Sequence, residues 1–138
     1  MIIKHKAGMS VKPIVELTAD GSHTLFVPEL NEHYHSVNGA IQESTHIFIN
    51  AGLLHCEKDA VDILEIGFGT GLNAFLTLLA VKGTRKMVHY TGIELYPLSE
   101  PIIHALNYPC RYAEPDRELY YKLHDSNWEQ ENEISPNF

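Results

Sequence analysis

The sequence is short of the residues that build several familiar protein classes. Only two of its 138 residues are cysteine, Cys56 and Cys110, far apart and with no CxxC pair. Neither a disulfide framework nor a zinc ribbon is expected, and the cytoplasm is the expected compartment. No apolar run is long enough to cross a bilayer, so no membrane partner is expected. Lys4 and Lys6 have no apolar stretch behind them, which argues against a secretory signal peptide. Basic residues are scarce too, with ten Lys and Arg against 18 Asp and Glu, for a formal charge of -8. That balance disfavours nonspecific nucleic-acid binding, which needs clustered positive charge. The acids crowd the end of the chain at Glu129, Glu131 and Glu133. Lys4, Lys6, Lys12, Arg85 and Lys86 leave room for a local basic face. Nine histidines are present, but His33, His35, His46, His55 and Cys56 follow no zinc-ligand spacing, so no metal is expected.

What is present fits one globular domain, with 44% hydrophobic and 20% charged residues. No internal repeat or low-complexity linker interrupts it. Residues 13–27 predict a hairpin turning at Asp20-Gly21, where glycine accepts a positive φ. Residues 28–34 are polar and irregular. Residues 36–54 predict a helix, with Ser36 as its cap and Gly52 at its end. Residues 61–66 have the short apolar pattern of a buried parallel strand. A helix over 72–81 follows, with Leu72, Phe75, Leu76 and Leu79 as core and Gly83 closing it. A second strand covers 87–93 and ends at Glu94. A helix is expected over 97–106, with Pro97 in its first turn. A short third strand is expected at 110–112 and a last helix over 115–123. Strand, helix, strand, helix from residue 61 onward predicts right-handed crossovers and a parallel sheet.

The chemistry lies in Glu65-Ile66-Gly67-Phe68-Gly69-Thr70-Gly71. A strand running into a glycine-rich turn and then a helix builds a ligand seat: the backbone can approach a ligand closely, and the helix N-terminus offers unpaired N–H groups. Phe68 is expected to pack beneath the loop. Glu94, ending the next strand, can accept hydrogen bonds from both hydroxyls of a ribose. The spacing is GxGxG with an acid two residues before the first glycine. Dinucleotide enzymes more often show GxGxxG with an apolar residue there, and adenosylmethionine enzymes an acid. Glu65 is therefore expected to face the cationic methionine end. The expected architecture is a Rossmann-like class I methyltransferase fold. A hairpin-and-helix extension (1–57) precedes the first half of an S-adenosylmethionine-binding domain (58–138).

Several segments, in order, strengthen that expectation. They are Asp20-Gly21-Ser22-His23-Thr24-Leu25, the run from Asn31 to Ala40, Glu43-Ser44 with His46-Ile47-Phe48-Ile49, Glu65 through Asn73, and Glu94-Leu95-Tyr96-Pro97-Leu98. Together they resemble the methyltransferase module of the MnmC/MnmD family. The resemblance implies methyl transfer from S-adenosylmethionine to the exocyclic amine of 5-aminomethyl-2-thiouridine at the wobble position of tRNA. It implies cofactor contacts from Glu65, Gly67, Phe68, Gly69, Thr70, Gly71, Asn73, Glu94 and Leu95. It also suggests a lid or substrate-facing set of Glu32, Tyr34, His35 and Ser36. The catalytic proton acceptor is unassigned. Nothing resembles the flavin-dependent oxidoreductase domain of bifunctional members.

The family module normally continues through further strands and helices, including a fourth strand on the substrate side. The expectation here is an incomplete parallel sheet, with residues 61–66 exposed at an edge that invites self-association. Two other readings are a non-catalytic binding or assembly module and a nicotinamide-dependent enzyme. The GxGxG spacing and Glu65 argue against the latter.

Overall fold

The computed structural model describes residues 1–4 and 12–138; Lys6 of the basic start and the side chains of residues 2–4 lie outside the described residues. The chain is mixed α/β, with one small antiparallel and one small parallel sheet. A short strand, β1 (Ile2–Lys4), comes first and belongs to the parallel sheet.

The antiparallel sheet begins with the expected hairpin. β2 (Ile14–Leu17) pairs with β3 (His23–Val27), from Ile14 opposite Phe26 to Leu17 opposite His23. Its turn is organised by Asp20. One carboxylate oxygen accepts from the Ser22 N–H at 2.8 Å and from the Thr18 hydroxyl at 2.9 Å; the other accepts from the Gln42 N–H at 2.9 Å. Partial burial pushes the carboxyl pKa up, but bonds from Ser22, Gln42 and Thr18 outweigh it and hold the group at about 2. The segment after the hairpin is not wholly irregular. β4 (Glu32–His33) adds a two-residue strand against β3.

The expected single helix over 36–54 is shorter and differently wound. It begins at α1 (Ala40–Ser44), widens into a π-helical turn (Thr45–Asn50) and ends in a 3-10 turn (Leu53–His55). Ser36 does not cap it. Val37 is drawn to the hairpin turn, where its carbonyl accepts from the Ala19 N–H at 2.9 Å, so the chain cannot coil before Gly39. The Ser36 hydroxyl instead accepts from the Asn38 N–H.

In the parallel sheet, β6 (Met87–Glu94) lies between β1 and β5 (Ala60–Ile66). The expected third strand at 110–112 is absent; Pro109–Arg111 forms a 3-10 turn. Pro109 has no N–H to give a ladder. This segment is also held sideways, with the Arg111 guanidinium donating to the Asp20 carbonyl and the Tyr108 hydroxyl to the His23 carbonyl. The third strand comes from residues 2–4, pairing parallel with Gly92, Ile93 and Glu94.

β5 is not the buried central strand its apolar run suggests. Its burial alternates, with Leu64 64% and Ile66 74% exposed on one face. The other face meets α2 (Leu72–Val81), whose Leu72, Ala74, Phe75, Leu78 and Val81 are almost fully buried. α3 (Glu100–Ala105) starts later than expected, after Ser99, and α4 (Asp116–His124) packs Tyr120 and Leu123 against α2. One core joins these to Leu25 and Ala40 of the N-terminal segment. Among the described residues, no helix is long and apolar enough to cross a membrane.

Candidate functional site

The turn between β5 and α2 is where the sheet, the N-terminal segment and α4 meet. Gly67, Gly69 and Gly71 have φ of 84°, 54° and 70°. A side chain at Gly71 would collide with the His124 ring at 2.9 Å and Phe68 at 3.1 Å, whereas one at Gly67 would meet nothing within 4 Å. Gly71 is thus small for packing. Gly67 borders open space, as close approach of a ligand requires.

Thr70 anchors the turn. Its hydroxyl bonds the His35 Nε2 at 2.8 Å. Its carbonyl accepts from the Tyr120 hydroxyl at 3.0 Å and from the His124 Nε2 at 3.1 Å. Burial pushes the His124 pKa down to about 4, the carbonyl bond opposing it only in part, and burial lowers His35 as well. Both imidazoles are therefore neutral near pH 7. Phe68 lies beneath the loop, edge-on to His124 with ring centroids 5.5 Å apart.

Two carboxylates flank the turn. Glu94 is buried, and its oxygens accept from the Gly69 N–H and the Tyr96 N–H, each at 2.7 Å. A carboxylate has about four lone-pair positions, so each oxygen can accept once more. Glu65 accepts from the Asn73 amide and the Tyr90 hydroxyl, each at 2.8 Å. Burial raises the Glu65 pKa, its two hydrogen bonds pull it down, and the charge of Glu94 pushes it up again. The Asn73 side-chain oxygen is buried with no hydrogen-bond partner. An acceptor in that state is suited to an N–H donor from a bound molecule.

A cavity of about 260 Å³ opens on this turn, bounded by Glu65, Gly67, Gly69, Thr70, Asn73, Phe48, Tyr34 and His35. The Tyr34 ring lies 3.1 Å from where a Gly69 side chain would begin. Its backbone is fixed by a 2.9 Å bond to the Leu25 carbonyl, and that of His35 by the Thr24 hydroxyl. Of the four expected lid residues, the fold brings Tyr34 and His35 to the turn. It does not bring Glu32, which is exposed on β4, or Ser36, whose N–H bonds Glu43. Leu95 follows Glu94 and is 43% exposed. A second hollow of about 130 Å³ lies beside Glu94, among Pro97, Leu98, Ile103, His124 and Trp128.

Tyr90, Tyr120 and His124 are not evident from the sequence as partners of the turn. Tyr90 has a usable signal: it pairs with Ile63 in register and shares a sheet face with Glu65. His124 and Tyr120 have none, because they depend on how α4 docks. Among the described residues, no three His, Cys, Asp or Glu side chains converge as a metal site. His33 bonds Glu16 at 2.9 Å and His55 bonds the Asn50 carbonyl at 2.7 Å.

No family model matches the chain. The chain is 30% identical over 106 residues to the tRNA 5-methylaminomethyl-2-thiouridine biosynthesis bifunctional protein MnmC of Magnetococcus marinus, a match covering 72% of the chain and 16% of that protein. It is 32% identical over 120 residues to the protein of the same name from Leptospira interrogans, covering 79% of the chain and 18% of that protein. The chain thus spans less than a fifth of these relatives. The crystal structure of MNMC2 from Aquifex aeolicus superposes with a TM-score of 0.69 at 30% identity, over 91% of the chain and 40% of that structure. The chain is homologous to the methyltransferase part of the MnmC proteins over most of its length and belongs to that family.

Proposed function

We propose that the chain is the adenosylmethionine-binding part of a Rossmann-like tRNA methyltransferase that methylates the exocyclic amine of 5-aminomethyl-2-thiouridine at the wobble position. The observation that carries this reading is the pair of carboxylates on one glycine turn. Glu94 is bonded to the Gly69 N–H at 2.7 Å, and Glu65 is held by Asn73 and Tyr90 on the side of the open space at Gly67. Membership in the MnmC family supports a tRNA substrate for this reading.

The residues fit the cofactor. The spare lone pairs of Glu94 suit a ribose diol. Glu65 and the unpartnered Asn73 oxygen suit an ammonium group. The Tyr34 ring packs against the turn at Gly69, within reach of a molecule seated there. When bound, adenosylmethionine supplies the methyl group to be transferred. The chain's own residues hold the methionine and ribose ends apart and fix their direction, which is the larger part of what such a displacement asks of a protein.

The test is methyl transfer from labelled adenosylmethionine to tRNA lacking the terminal methyl, in a protein carrying this segment together with the rest of the module. Glu94→Ala and Gly69→Val are expected to abolish incorporation. Full activity in both variants would overturn the proposal.

A further inference from the structure

β6 supplies Glu65 with one neighbour and withholds another. In the parallel register Glu65 stands opposite Gly92, and Ile63 opposite Tyr90. Side chains two apart on a strand share a face, so Tyr90 and Glu65 look onto the same side of the sheet. Gly92 has no side chain to offer, and a methyl there would lie 2.9 Å from the Phe68 ring. The diagonal neighbour therefore reaches the carboxylate. The Tyr90 hydroxyl donates to Glu65 Oε2 at 2.8 Å, and the Asn73 amide donates to Oε1 at 2.8 Å. One donor on each oxygen fixes the plane of the carboxylate and leaves each oxygen a further lone pair. Glu65 lines the cavity of about 260 Å³ beside Gly67. We propose that Tyr90 is a positioning residue for the cofactor, its hydroxyl holding the Glu65 carboxylate in its charged form and in one orientation to receive the ammonium group. This inference rests on the cofactor reading above.

Tyr90 is built for that role. It is 9% exposed, on the strand between β1 and β5, and its ring stacks on Phe138 with centroids 5.5 Å apart. The hydroxyl is thereby held at the carboxylate. Burial, with the Glu65 charge beside it, drives the phenol pKa far above its ordinary value, so the proton stays and the hydroxyl always donates. Glu65 needs this support. Burial raises its pKa, the bonds from Asn73 and Tyr90 lower it, and Glu94 at the end of β6 raises it again. His35 and Glu43 line the same cavity. Without the Tyr90 hydroxyl, one of the two bonds that favour the charge is gone. More of Glu65 is then protonated as pH falls, and a neutral acid has no charge to set against an ammonium. The loss is largest in mild acid and disappears well above neutrality.

The test compares the parent chain with Tyr90→Phe and Glu65→Gln. Tyr90→Phe deletes one oxygen and keeps the packed ring. Carbon NMR of the Glu65 carboxyl, without ligand, is expected to show it titrating at higher pH in Tyr90→Phe than in the parent. Affinity for adenosylhomocysteine, read from backbone amide resonances, is expected to suffer from Tyr90→Phe at least about threefold more at about pH 5.5 than at about pH 8. A merely structural role would lower affinity by the same factor at both. An unmoved Glu65 titration, or an affinity ratio independent of pH, would overturn the proposal and leave the cofactor reading standing. Glu65→Gln binding as tightly as the parent would overturn both.

Discussion

Replacing Gly67 and Gly71 singly by alanine separates a glycine kept for a ligand from one kept for packing. At Gly67, with φ 84°, the new methyl meets nothing within 4 Å, so only the left-handed backbone opposes it. That costs about 1 kcal/mol. At Gly71 the same backbone term applies, and the methyl would also lie 2.9 Å from the His124 ring and 3.1 Å from Phe68. His124 would have to leave the Thr70 carbonyl. Overpacking and the lost bond bring the total to about 3 kcal/mol. For a chain of this size each kcal/mol shifts Tm by about 4 °C. Thermal unfolding should therefore show losses of about 4 °C for Gly67→Ala and about 12 °C for Gly71→Ala. Titration with adenosylhomocysteine, followed on backbone amide resonances to reach weak affinities, should show Gly67→Ala binding at least about tenfold more weakly than the parent. Unchanged affinity in Gly67→Ala would refute the assignment of that open space to a ligand. Equal destabilisation by the two variants would refute the distinction between them.

Asp20→Ala should destabilise the fold by about 1–2 kcal/mol in urea titration, because the Ser22, Thr18 and Gln42 donors lose a shared acceptor. The Asp20 pKa is depressed on folding, so its contribution is complete above about pH 4 and fades as pH falls toward 2; the variant should unfold with a flatter acid limb. His124 is depressed as well, from 6.5 to about 4. The unfolded chain takes up its proton first, so stability should fall as pH drops from about 6.5 to 4, by at most about 3 kcal/mol, and His124→Gln should remove that slope. Glu94→Gln leaves one of two backbone donors facing an amide NH₂, which should cost about 1–3 kcal/mol in chemical denaturation. Calorimetry should find only weak adenosylmethionine binding to the 138-residue chain, since among the described residues the crevice beside β5 is walled on one side only. Tight stoichiometric binding would contradict this.

Local patterns carried the hairpin, α2, both long parallel strands and the glycine turn. Asp-Gly between apolar runs and an unbroken Leu/Ala segment are signals a few residues can hold. The errors fall where distant contacts decide. Residues 36–39 fail to coil because Val37 bonds Ala19 across the hairpin turn. Residues 109–111 become a tight turn because Tyr108 and Arg111 reach back to His23 and Asp20. The strand formed by residues 2–4 has no pattern of its own beyond two isoleucines; its partner lies about ninety residues away at Gly92. The site divides in the same way. Glu65, Glu94 and the glycines stand out by spacing, and Tyr34 and His35 by resemblance. The Tyr90, Tyr120 and His124 contacts exist only once β6 and α4 are placed.

The triple anchorage of Thr70 has a consequence for affinity. A turn with three glycines in seven residues is, in an unfolded chain, among the most disordered segments the sequence contains. Here His35, Tyr120 and His124, at sequence separations of 35, 50 and 54 residues, hold its centre from opposite sides. The entropy of ordering the loop is therefore lost when the chain folds and need not be lost again when a ligand arrives. Weakening the Tyr120 anchor should lower affinity without altering a residue that lines the cavity. Sequence changes far from the turn can tune how tightly it holds what it binds.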